Sequence, residues 1–554
     1  MSTNISELSG RKGLKENLFE QLGLLAQETG TPSTEQLEKL AADFLIGKAN
    51  TYGSASFYDF TREENKGKKV YVCNGSACLC AGTQPSVHEK LKLHYQENEI
   101  GDMCCLGRCH ENSAFHIDGI NYSGSAIDHL SDLAKNKETD RIKPNDVYQV
   151  KHIGTKVLTT EAESISSYYE LLKLSLQKSP ESLLEEIKIS GLRGRGGAGF
   201  PMSFKLEACK KEINITKFVV CNADEGDPGA YSDRYLLEQQ PHKVLLGMML
   251  AGYIIGAEWG VLYIRGEYPE AVNICEVEIN KLRALNILGR NIFGTNFNFD
   301  FKIIKAQGAY ICGEETALLS SIEGQRPEVR VRPPYPAQKG LFNKPTIVNN
   351  VETLACIPYI LSQGGKQYAS IGKGKSTGTK LVSLDGYFNS PGIYEVDMGT
   401  PLRAVIDDLG GGFESAIKAM HIGGPLGGLV PISKINELSI DFESFNQAGF
   451  LLGHASIVCI PESFPIIKYI EHLFQFTAHE SCGKCFPCRI GSTRGYEMMN
   501  KAQTSDYKIN RKLLDDLLET LEIGSLCALG GGLPLPIKNA LTYFEIELSE
   551  WMVQ

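Results

Sequence analysis

Apolar residues along this chain recur at helical spacing in some segments and form short unbroken runs in others. Over Lys15–Ile46 the leucines lie three or four residues apart on either side of a Gly-Thr-Pro-Ser break, which predicts short amphipathic helices. The runs Val70–Val72, Phe218–Cys221 and Val261–Ile264 are typical of buried strands. From Val150 to Tyr368 helical and strand-like segments alternate, which is typical of α/β domains.

Turn residues and periodicity predict several further elements. Asp118-Gly119 favours a hairpin between Ala114–Ile117 and Ile120–Tyr122. Further helices are expected over Pro85–Gln96 and Ser179–Ile189, strands over Thr379–Asp385 and Gly392–Val396, and a linker over Lys135–Asp146. Leucines at 514, 517, 518 and 521 predict one face of a helix that ends at Gly524.

Composition narrows the class of protein. The chain has 554 residues, of which 42% are hydrophobic and 22% charged, as in soluble proteins of several domains. The net charge of −10 disfavours a nucleic-acid role. The apolar stretch Val244–Ala257 is shorter than the ~18 residues that a membrane span needs, and Met1–Leu18 shows no signal-peptide pattern. We therefore expect a cytoplasmic protein without direct membrane insertion.

Cysteine is the most informative residue type, with 16 in the chain. Thiols are expected to stay reduced in the cytoplasm, so clustered cysteines favour metal ligation over disulfides. Cys482, Cys485 and Cys488 lie three residues apart, and Cys527 follows 39 residues after Cys488. Three closely spaced thiolates with a distant fourth are typical of a [4Fe–4S] cluster, and a four-cysteine zinc site is the alternative.

A second group of cysteines lies near the start of the chain. Cys73-x4-Cys78 and Cys105-x3-Cys109 form two pairs next to predicted strands, which suits a [2Fe–2S] cluster with two ligands per iron. Zinc is again the alternative, and the adjacent Cys80 and Cys104 could be substitute ligands or inert neighbours. The scattered cysteines are expected to be small buried hydrophobic residues, namely Cys209, Cys221, Cys275, Cys312, Cys356 and Cys459.

The segment Gly191–Pro201 is rich in glycine. Glycines let backbone amides approach a phosphate closely, and Arg193, Arg195 and Lys205 could add positive charge. The pattern follows a predicted helix and not the strand that a Rossmann fingerprint requires, so a flexible turn is an equal alternative for the loop alone.

Polar residues follow two predicted strands downstream. Asn222-Ala-Asp224-Glu225-Gly-Asp227 comes directly after a buried strand, and Gly313-Glu314-Glu315 follows Tyr310-Ile311-Cys312. Carboxylates at strand ends lie where α/β sheets bind ligands, and Asn349-Asn350 could bind a phosphate or a ribityl chain. Together with the glycine-rich loop, these residues indicate a nucleotide site.

Nearly the whole chain resembles a known family. The flavin-binding NADH-oxidising subunit of respiratory complex I is matched at Gly191–Pro201, Asn222–Pro228, Gly308–Thr316, Arg332–Gln338, Val348–Thr353, Glu480–Arg489 and Ser525–Leu529. The front of the chain, with Ala55-Ser-Phe-Tyr58 and both cysteine pairs, resembles the thioredoxin-like [2Fe–2S] subunit of the same enzyme. The chain thus looks like a fusion of the two, as in the diaphorase subunits of soluble NAD-reducing hydrogenases and NAD-dependent formate dehydrogenases.

The resemblance implies a multidomain α/β fold. Its expected parts are an N-terminal helical segment (1–66), a thioredoxin-like [2Fe–2S] domain (67–145), a Rossmann-like FMN and NADH domain (150–370), a small ubiquitin-like β-grasp domain (371–440) and a helical [4Fe–4S] domain (441–554).

It also implies the cofactor site. FMN would be held by Gly194, Gly196, Gly197, Lys205, Asn222, Asp224, Gly313, Glu314, Asn349 and Asn350. The NADH pocket would be lined by Phe200, Asp227, Glu315, Arg332 and Tyr335, and Arg195, Glu225 and Tyr310 complete the expected site. Complex I usually has Ser-Glu in place of Gly226-Asp227, and Lys and Phe in place of Arg332 and Tyr335. These departures fall on expected NADH contacts.

The function implied is hydride exchange between NAD(H) and FMN, followed by single-electron transfer through the iron–sulfur clusters. This chemistry belongs to the cofactor, so no side-chain nucleophile or acid is expected. The sequence holds no ligand set for nickel, molybdenum or a further ferredoxin cluster, which predicts partner iron–sulfur and catalytic subunits. The alternatives are a stand-alone NADH-dependent reductase and a structural subunit that has lost its chemistry.

Overall fold

The computed structural model describes residues 13–14, 16–29, 31–135 and 148–553. Apart from Lys135, the expected linker Lys135–Asp146 lies outside the described residues. Among the residues described, no helix combines the length and apolar character needed to cross a membrane. All six scattered cysteines are buried, which confirms their expected place in the core.

The first unit is helical, with helices at Leu18–Thr29, Thr34–Asp43 and Lys48–Ala55. Ser33 and Gln36 form a capping box that fixes the start of the second helix, since each side chain accepts from the other residue's backbone N–H. This unit packs onto the parallel-sheet unit described below, where the buried Tyr58 hydroxyl donates to Ser321 Oγ at 2.9 Å. The Ala55–Tyr58 motif is therefore an internal contact.

The next unit contains a four-stranded sheet. In spatial order its strands are Ile100–Met103, Val70–Cys73, Phe115–Ile117 and Ile120–Tyr122. The last two pair antiparallel across Asp118-Gly119, which confirms the predicted hairpin. Helices lie at Ser76–Cys80, Gln84–Leu91 and Leu130–Lys135.

The third unit is built on a parallel sheet. Its strands, in spatial order, are Asp300–Lys305, Trp259–Ile264, Phe218–Ala223 and Thr346–Asn350. Around them lie helices at Ile165–Ser175, Pro180–Ser190, Met202–Lys211, Ser232–Gln239, Pro241–Ile255, Pro269–Ala284, Glu315–Ile322, Pro336–Lys339, Val351–Ala355, Ile357–Gln363 and Gly365–Ala369. The apolar helix Pro241–Ile255 is almost wholly buried, so its hydrophobic run serves the core of a domain.

The β-grasp region extends beyond its expected limits of 371 and 440. Its six-stranded sheet has the order Gly428–Pro431, Ile417–Ile422, Ser456–Pro461, Thr379–Leu384, Gly392–Asp397 and Gln149–Ile153. Gln149–Ile153 pairs with Gly392–Asp397 from more than 230 residues away, and Ser456–Pro461 lies inside the sheet. The boundary at 440 therefore cuts through this unit, because pairing between distant strands leaves no local signal. Short helices lie at Leu402–Ala404 and Phe442–Gln447.

The last unit is helical, with helices at Ile466–Glu480, Ser492–Thr504, Arg511–Gly524, Ala528–Gly532, Pro534–Tyr543 and Glu545–Ser549. Leu514, Leu518 and Leu521 are fully buried against its core, and their helix ends at Gly524 as predicted.

Candidate functional site

Four cysteines converge in the C-terminal helical unit. Cys482 and Cys485 follow its first helix, Cys488 lies in a π-helical turn, and Cys527 caps the short helix Ala528–Gly532. The thiols lie close enough for their charges to act on one another, and burial raises the pKa of Cys488 to about 11 and that of Cys527 to about 12. The fold therefore brings the triple and the distant fourth cysteine into one pocket.

The surroundings of this pocket fit a bulky inorganic group. A Cβ atom on Gly530 would lie 2.7 Å from Cys488 Cβ, so glycine is needed there for close approach. Ser481 accepts a hydrogen bond from Cys488 Sγ at 3.3 Å. The buried Ser525 hydroxyl has no partner and is left available to a sulfide or thiolate.

The cysteines of the front domain form a second convergent set. Cys73 ends a strand, Cys78 lies in the following short helix, and Cys105 and Cys109 lie in one loop with their sulfurs 3.3 Å apart. Its neighbours Cys105 and Cys78, together with burial, raise the pKa of the Cys73 thiol well above its ordinary value. Interaction with Cys109 and then with Cys73 holds the pKa of the Cys105 thiol well below its ordinary value. This four-thiol set fits the rhomb of a [2Fe–2S] cluster.

Backbone amides also point at these sulfurs. Gly107 N–H donates to Cys105 Sγ at 3.3 Å, and Gly229 N–H, from the parallel-sheet unit, donates to Cys109 Sγ at 3.2 Å. Such N–H···S bonds stabilise thiolates and tune a bound cluster. The second of them joins two domains at the metal site.

The two extra cysteines occupy different environments. Cys80 is buried in the core of the C-terminal unit, and its carbonyl accepts from the Tyr387 hydroxyl at 2.8 Å. Cys104 is half-buried and packs against apolar residues around both four-cysteine sets. Neither thiol is part of the hydrogen bond between the sulfurs of Cys105 and Cys109. This favours the predicted ligand choice, which stays a prediction.

The glycine-rich segment forms a closed loop after helix Pro180–Ser190. Gly194 N–H donates to the Phe200 carbonyl at 2.8 Å, and Arg193 pairs with Pro201 as an isolated antiparallel bridge. The loop thus has a fixed base and does not behave as a flexible turn.

Its glycines make the loop surface approachable. A Cβ atom on Gly196 would lie 2.8 Å from Cβ of Asn350, and Gly197 has φ of +129°, which side chains rarely adopt. Both positions therefore require glycine, and their backbone lies open beside the asparagine pair at the end of a strand.

Two arginines of the loop play structural roles. Arg193 donates to the Gly199 carbonyl and pairs with Glu443 at 2.6 Å. Arg195 is wholly buried, and its guanidinium donates to the Tyr368 hydroxyl at 3.0 Å. The expectation that Arg195 supplies charge to a cofactor phosphate is therefore not met, because its side chain points into the core.

Lys205 lies beside the surface between the glycine-rich loop and the strand Thr346–Asn350, which we call the cleft. Its Nζ lies 2.9 Å from Glu315 Oε2 and donates to the Val348 carbonyl at 3.0 Å. The side chain keeps about a third of its surface exposed, at 29%, so it is available to an anionic ligand.

The end of the strand Phe218–Ala223 meets the short 3₁₀ helix Tyr310–Gly313, which takes the place of the second strand that the sequence predicted before Gly313. Asn222 Nδ2 donates to the Gly313 carbonyl at 2.7 Å, which holds both segments together. Asp224 lies beside them, buried, with Oδ2 lacking a partner, and burial raises the pKa of its carboxyl well above the ordinary value. An unpartnered buried carboxylate oxygen fits a ligand donor such as a ribityl hydroxyl or ring N–H.

The asparagine pair divides its work. Asn349 is buried, with Nδ2 left without a partner, and fits a ligand acceptor. Asn350 donates to Asp233 Oδ2 at 2.7 Å and accepts from Thr353 N–H at 3.1 Å as a helix cap. Both ends of its amide are used in hydrogen bonds within the protein, so Asn350 supports the glycine-rich loop and does not offer its amide to a ligand.

Aromatic residues border the open side of the cleft. Phe200 is 46% exposed and contacts the still more exposed Phe204 with ring centroids 5.8 Å apart. Tyr310 donates from its hydroxyl to Asp227 Oδ1 at 2.7 Å. Exposed rings beside a nucleotide cleft offer stacking surfaces.

A cluster of charges closes the other side. Arg332 lies 3.1 Å from Glu315 and 3.8 Å from Glu314, whose carboxylate caps the following helix through Thr316 N–H and Ala317 N–H. Glu315 thus lies between Arg332 and Lys205. Tyr335 is exposed, and its backbone N–H donates to Gln338 Oε1 at 3.2 Å.

The structure adds contacts between residues that motif matching could not predict. Glu225 is buried and accepts from Asp233 N–H at 2.8 Å, from Arg234 N–H at 3.1 Å and from the Tyr268 hydroxyl at 3.1 Å. Glu480 accepts from Tyr310 N–H at 2.8 Å. These partners lie far apart in sequence, and no local spacing could have predicted them.

Two four-thiol sets beside a glycine-lined cleft with unpartnered buried polar atoms define a flavin- and iron–sulfur-dependent oxidoreductase. Family models agree along the chain. They describe a thioredoxin-like [2Fe–2S] ferredoxin over residues 5–138, the Nuo51 FMN-binding domain over 187–359, and the NADH-ubiquinone oxidoreductase-F iron-sulfur binding region over 468–550. The cofactors predicted from sequence, FMN, [2Fe–2S] and [4Fe–4S], are thereby confirmed, with NAD(H) as substrate.

Individual proteins agree with these models. The chain is 42% identical to NADP-reducing hydrogenase subunit HndC of Solidesulfovibrio fructosivorans over 395 residues, covering 70% of this chain and 80% of the relative. It is 33% identical to the NAD-reducing hydrogenase HoxS subunit alpha of Cupriavidus necator, covering 92% and 87%. A solved NAD⁺-reducing [NiFe]-hydrogenase chain superposes with a TM-score of 0.85 at 26% identity, covering 98% and 95%.

The chain belongs to the family of NADH-quinone oxidoreductase F subunits and NAD-reducing hydrogenase subunits. It is an NADH-oxidising oxidoreductase of multidomain α/β fold, as the sequence predicted, and not a structural subunit that has lost its chemistry.

Proposed function

We propose that this chain is the diaphorase subunit of a soluble multi-subunit dehydrogenase or hydrogenase, exchanging hydride with NAD(H) at a bound FMN and passing single electrons to a partner. The observation that carries this proposal is a contact between the nucleotide cleft and the C-terminal cysteine set. Tyr310, at the flavin cleft, and Glu480, two residues before Cys482, share a 2.8 Å hydrogen bond. Flavin and cubane would therefore be neighbours.

The FMN phosphate would lie on the backbone of Gly194, Gly196 and Gly197, with Lys205 supplying positive charge. FMN supplies the conversion between a two-electron hydride donor and single electrons. Asp224 Oδ2 and Asn349 Nδ2 would take up its polar atoms, because both are buried without partners. Asn222 and Gly313 would hold the strand ends that carry these groups.

NADH would enter the cleft between Phe200 and the charged cluster. Phe200 offers an exposed ring face for stacking, and Glu315 offers carboxylate oxygens to ribose hydroxyls. Asp227, Arg332 and Tyr335 line the same side. These residues bind and orient the dinucleotide and exclude water from the reacting ring.

Electrons would leave through the C-terminal cysteine set. Large apolar side chains around it are exposed, namely Phe486, Ile490, Ile523 and Leu526. An exposed apolar patch at a redox site suits docking of a further iron–sulfur subunit. We propose that such a subunit, together with a separate catalytic subunit of hydrogenase or formate dehydrogenase type, completes the complex in the cytoplasm, where free thiols persist.

Two measurements test this function. The purified chain should contain FMN and about six irons, and should reduce an artificial dye with NADH without any partner; absence of flavin from the iron-loaded protein would contradict it. Metal analysis of the native complex should then find nickel if the partner is a hydrogenase, or molybdenum or tungsten if it is a formate dehydrogenase. If the chain purifies from its native source without any partner subunit and with full NADH-dependent activity, the result would instead support the stand-alone reductase.

A further inference from the structure

A buried group of three titratable side chains lies between the flavin cleft and the front cysteine set. His454 Nε2 is 3.6 Å from Asp233 Oδ2 and 3.7 Å from Glu225 Oε1. The three side chains are at most 5% exposed. None is required by hydride transfer, and no motif pointed to His454.

One side of this group borders the glycine loop. Asp233 Oδ2 accepts from Asn350 Nδ2 at 2.7 Å, and Cβ of Asn350 lies where a Cβ on Gly196 would clash. Gly453, next to His454, lies within 3.9 Å of the position of a Cβ on Gly197. The group therefore lies directly behind the proposed flavin loop.

The other side borders the front cysteines. Glu225 Oε2 accepts from the Tyr268 hydroxyl at 3.1 Å. The Tyr268 ring packs on Gly107, where an added Cβ would lie 2.5 Å away, and Gly107 lies between Cys105 and Cys109. A series of contacts thus runs from the flavin loop to the loop that holds two predicted cluster ligands, polar from Asn350 to Tyr268 and van der Waals at its two ends.

Other charged groups face the three residues from neighbouring elements. Lys380, on the strand Thr379–Leu384, carries a positive charge that opposes protonation of His454. Lys380 is itself paired with the buried Glu352. Burial raises the pKa of the Asp227 carboxyl at the edge of the cleft, and the positive charge of His454 opposes this rise.

Arginines complete this environment. Arg265 donates to the Glu225 carbonyl. Arg234, on the same helix as Asp233, lies over the Tyr148 ring at 5.6 Å.

We propose that Glu225, held between Asp233 and His454, is the proton acceptor that balances electron uptake by the front cluster. When one electron supplied by NADH arrives there, a water molecule that enters past Asp227 gives a proton to the Glu225 carboxylate. One O–H bond of water breaks, one O–H bond forms on Glu225, and the hydroxide returns to the buffered solvent. The proton on Glu225 cancels the negative charge that the electron adds at the front cluster. The proposal rests on the assignment of Cys73, Cys78, Cys105 and Cys109 to a [2Fe–2S] cluster.

The pH range follows from the environment. Burial, and then the charge of Asp233, raises the pKa of Glu225 to about 8. Burial opposes the charge of His454, but pairing with Asp233 outweighs it and raises its pKa to about 9. Well below pH 8 Glu225 already carries its proton, so reduction takes up none. Above pH 8 it is charged in the oxidised protein, and the electron brings a proton with it.

The test is a redox titration of the full reconstituted chain, with the [2Fe–2S] signal followed by electron paramagnetic resonance between pH 6 and 9.5. The midpoint potential should be constant at low pH and fall above pH 8, approaching about 59 mV per pH unit for one proton and one electron. In Glu225→Gln the potential should stay constant up to pH 8.5.

In His454→Gln the fall should begin at higher pH, because the lost cation no longer lowers the pKa of Glu225. His421→Gln, at a buried histidine of the β-grasp sheet, should titrate like the wild type. Iron and FMN content and circular dichroism identify any variant that has not folded.

A pH-independent wild-type potential, or an unchanged slope in Glu225→Gln, would overturn the proposal. A slope confined to the flavin potential would also overturn it. A wild-type protein without any [2Fe–2S] signal would refute the ligand assignment as well.

Discussion

The backbone N–H of Tyr310 donates to Glu480 Oε2 at 2.8 Å, across 170 residues of sequence. Tyr310 also contacts Asp227 through its hydroxyl and Phe476 through its ring, with centroids 4.9 Å apart. One residue therefore touches the nucleotide cleft and the helix that leads to the C-terminal cysteines. This contact holds the nucleotide cleft next to the C-terminal cysteine set.

Glu480→Ala should destabilise the protein, because it leaves the buried Tyr310 N–H without an acceptor. An unsatisfied buried donor costs about 1–3 kcal/mol. Chemical unfolding with matched iron content should show a loss of this size. Glu480→Gln keeps a carbonyl oxygen at the site and should recover most of it; equal losses in both variants would show that the charge, and not the acceptor, matters.

Gly196→Val should yield flavin-free protein. The added side chain would meet Asn350, whose Cβ is 2.8 Å from the new Cβ, and would cover the backbone that we expect to approach the phosphate. Flavin fluorescence after denaturation measures the loss. Gly47→Val, at a helix start with open space around it, should keep its flavin. Retained flavin and dye reduction in Gly196→Val would remove the loop from the proposed site.

Glu315→Gln should keep FMN and weaken NADH binding. A lost hydrogen bond to a charged group is worth about 1.5–3 kcal/mol, so KM for NADH should rise roughly tenfold or more while kcat changes little. Steady-state dye reduction separates the two constants. Because Lys205 and Arg332 then lose their carboxylate partner, high salt should reduce the difference in KM for NADH between the variant and the wild type. Loss of flavin in this variant would show that Glu315 binds FMN, contrary to its assignment to NADH.

Cys485→Ser should lower iron content and remove one electron paramagnetic resonance signal of the reduced protein, since a cubane needs its thiolate ligands. Cys275→Ser is the matched control, because Cys275 is fully buried in another domain. Unchanged iron in Cys485→Ser, with stoichiometric zinc in the parent protein, would mean that the ligand set holds zinc.

Cys73→Ser should remove the [2Fe–2S] signal, whereas Cys80→Ser and Cys104→Ser should keep it. Cys73 lies close enough to Cys105 and Cys78 for these thiols to raise its pKa, while Cys80 lies in a different core. The same spectra report all three variants. Loss of the signal in Cys104→Ser together with its survival in Cys73→Ser would exchange their roles.

Local sequence determined much of this protein. The spacing of Cys482, Cys485 and Cys488, the hairpin at Asp118-Gly119 and the helix ending at Gly524 are all set within a few residues. Thiolate spacing, turn geometry and helical periodicity act over such short distances, so they can be predicted without a fold. The resemblance of these motifs to a known family then supplied the cofactors.

Tertiary structure decided how the motifs meet. Arg195 was expected at a phosphate but is buried against Tyr368, because loop closure turns its side chain inward. The strand Ser456–Pro461 joins a sheet whose expected limit was 440, and His454 just before it reaches Glu225. Burial and pairing between distant residues set these contacts and the pKa of Glu225, and neither leaves a periodic mark on the chain. The sequence alone determined which groups could bind cofactors; only packing decided which of them face the cleft.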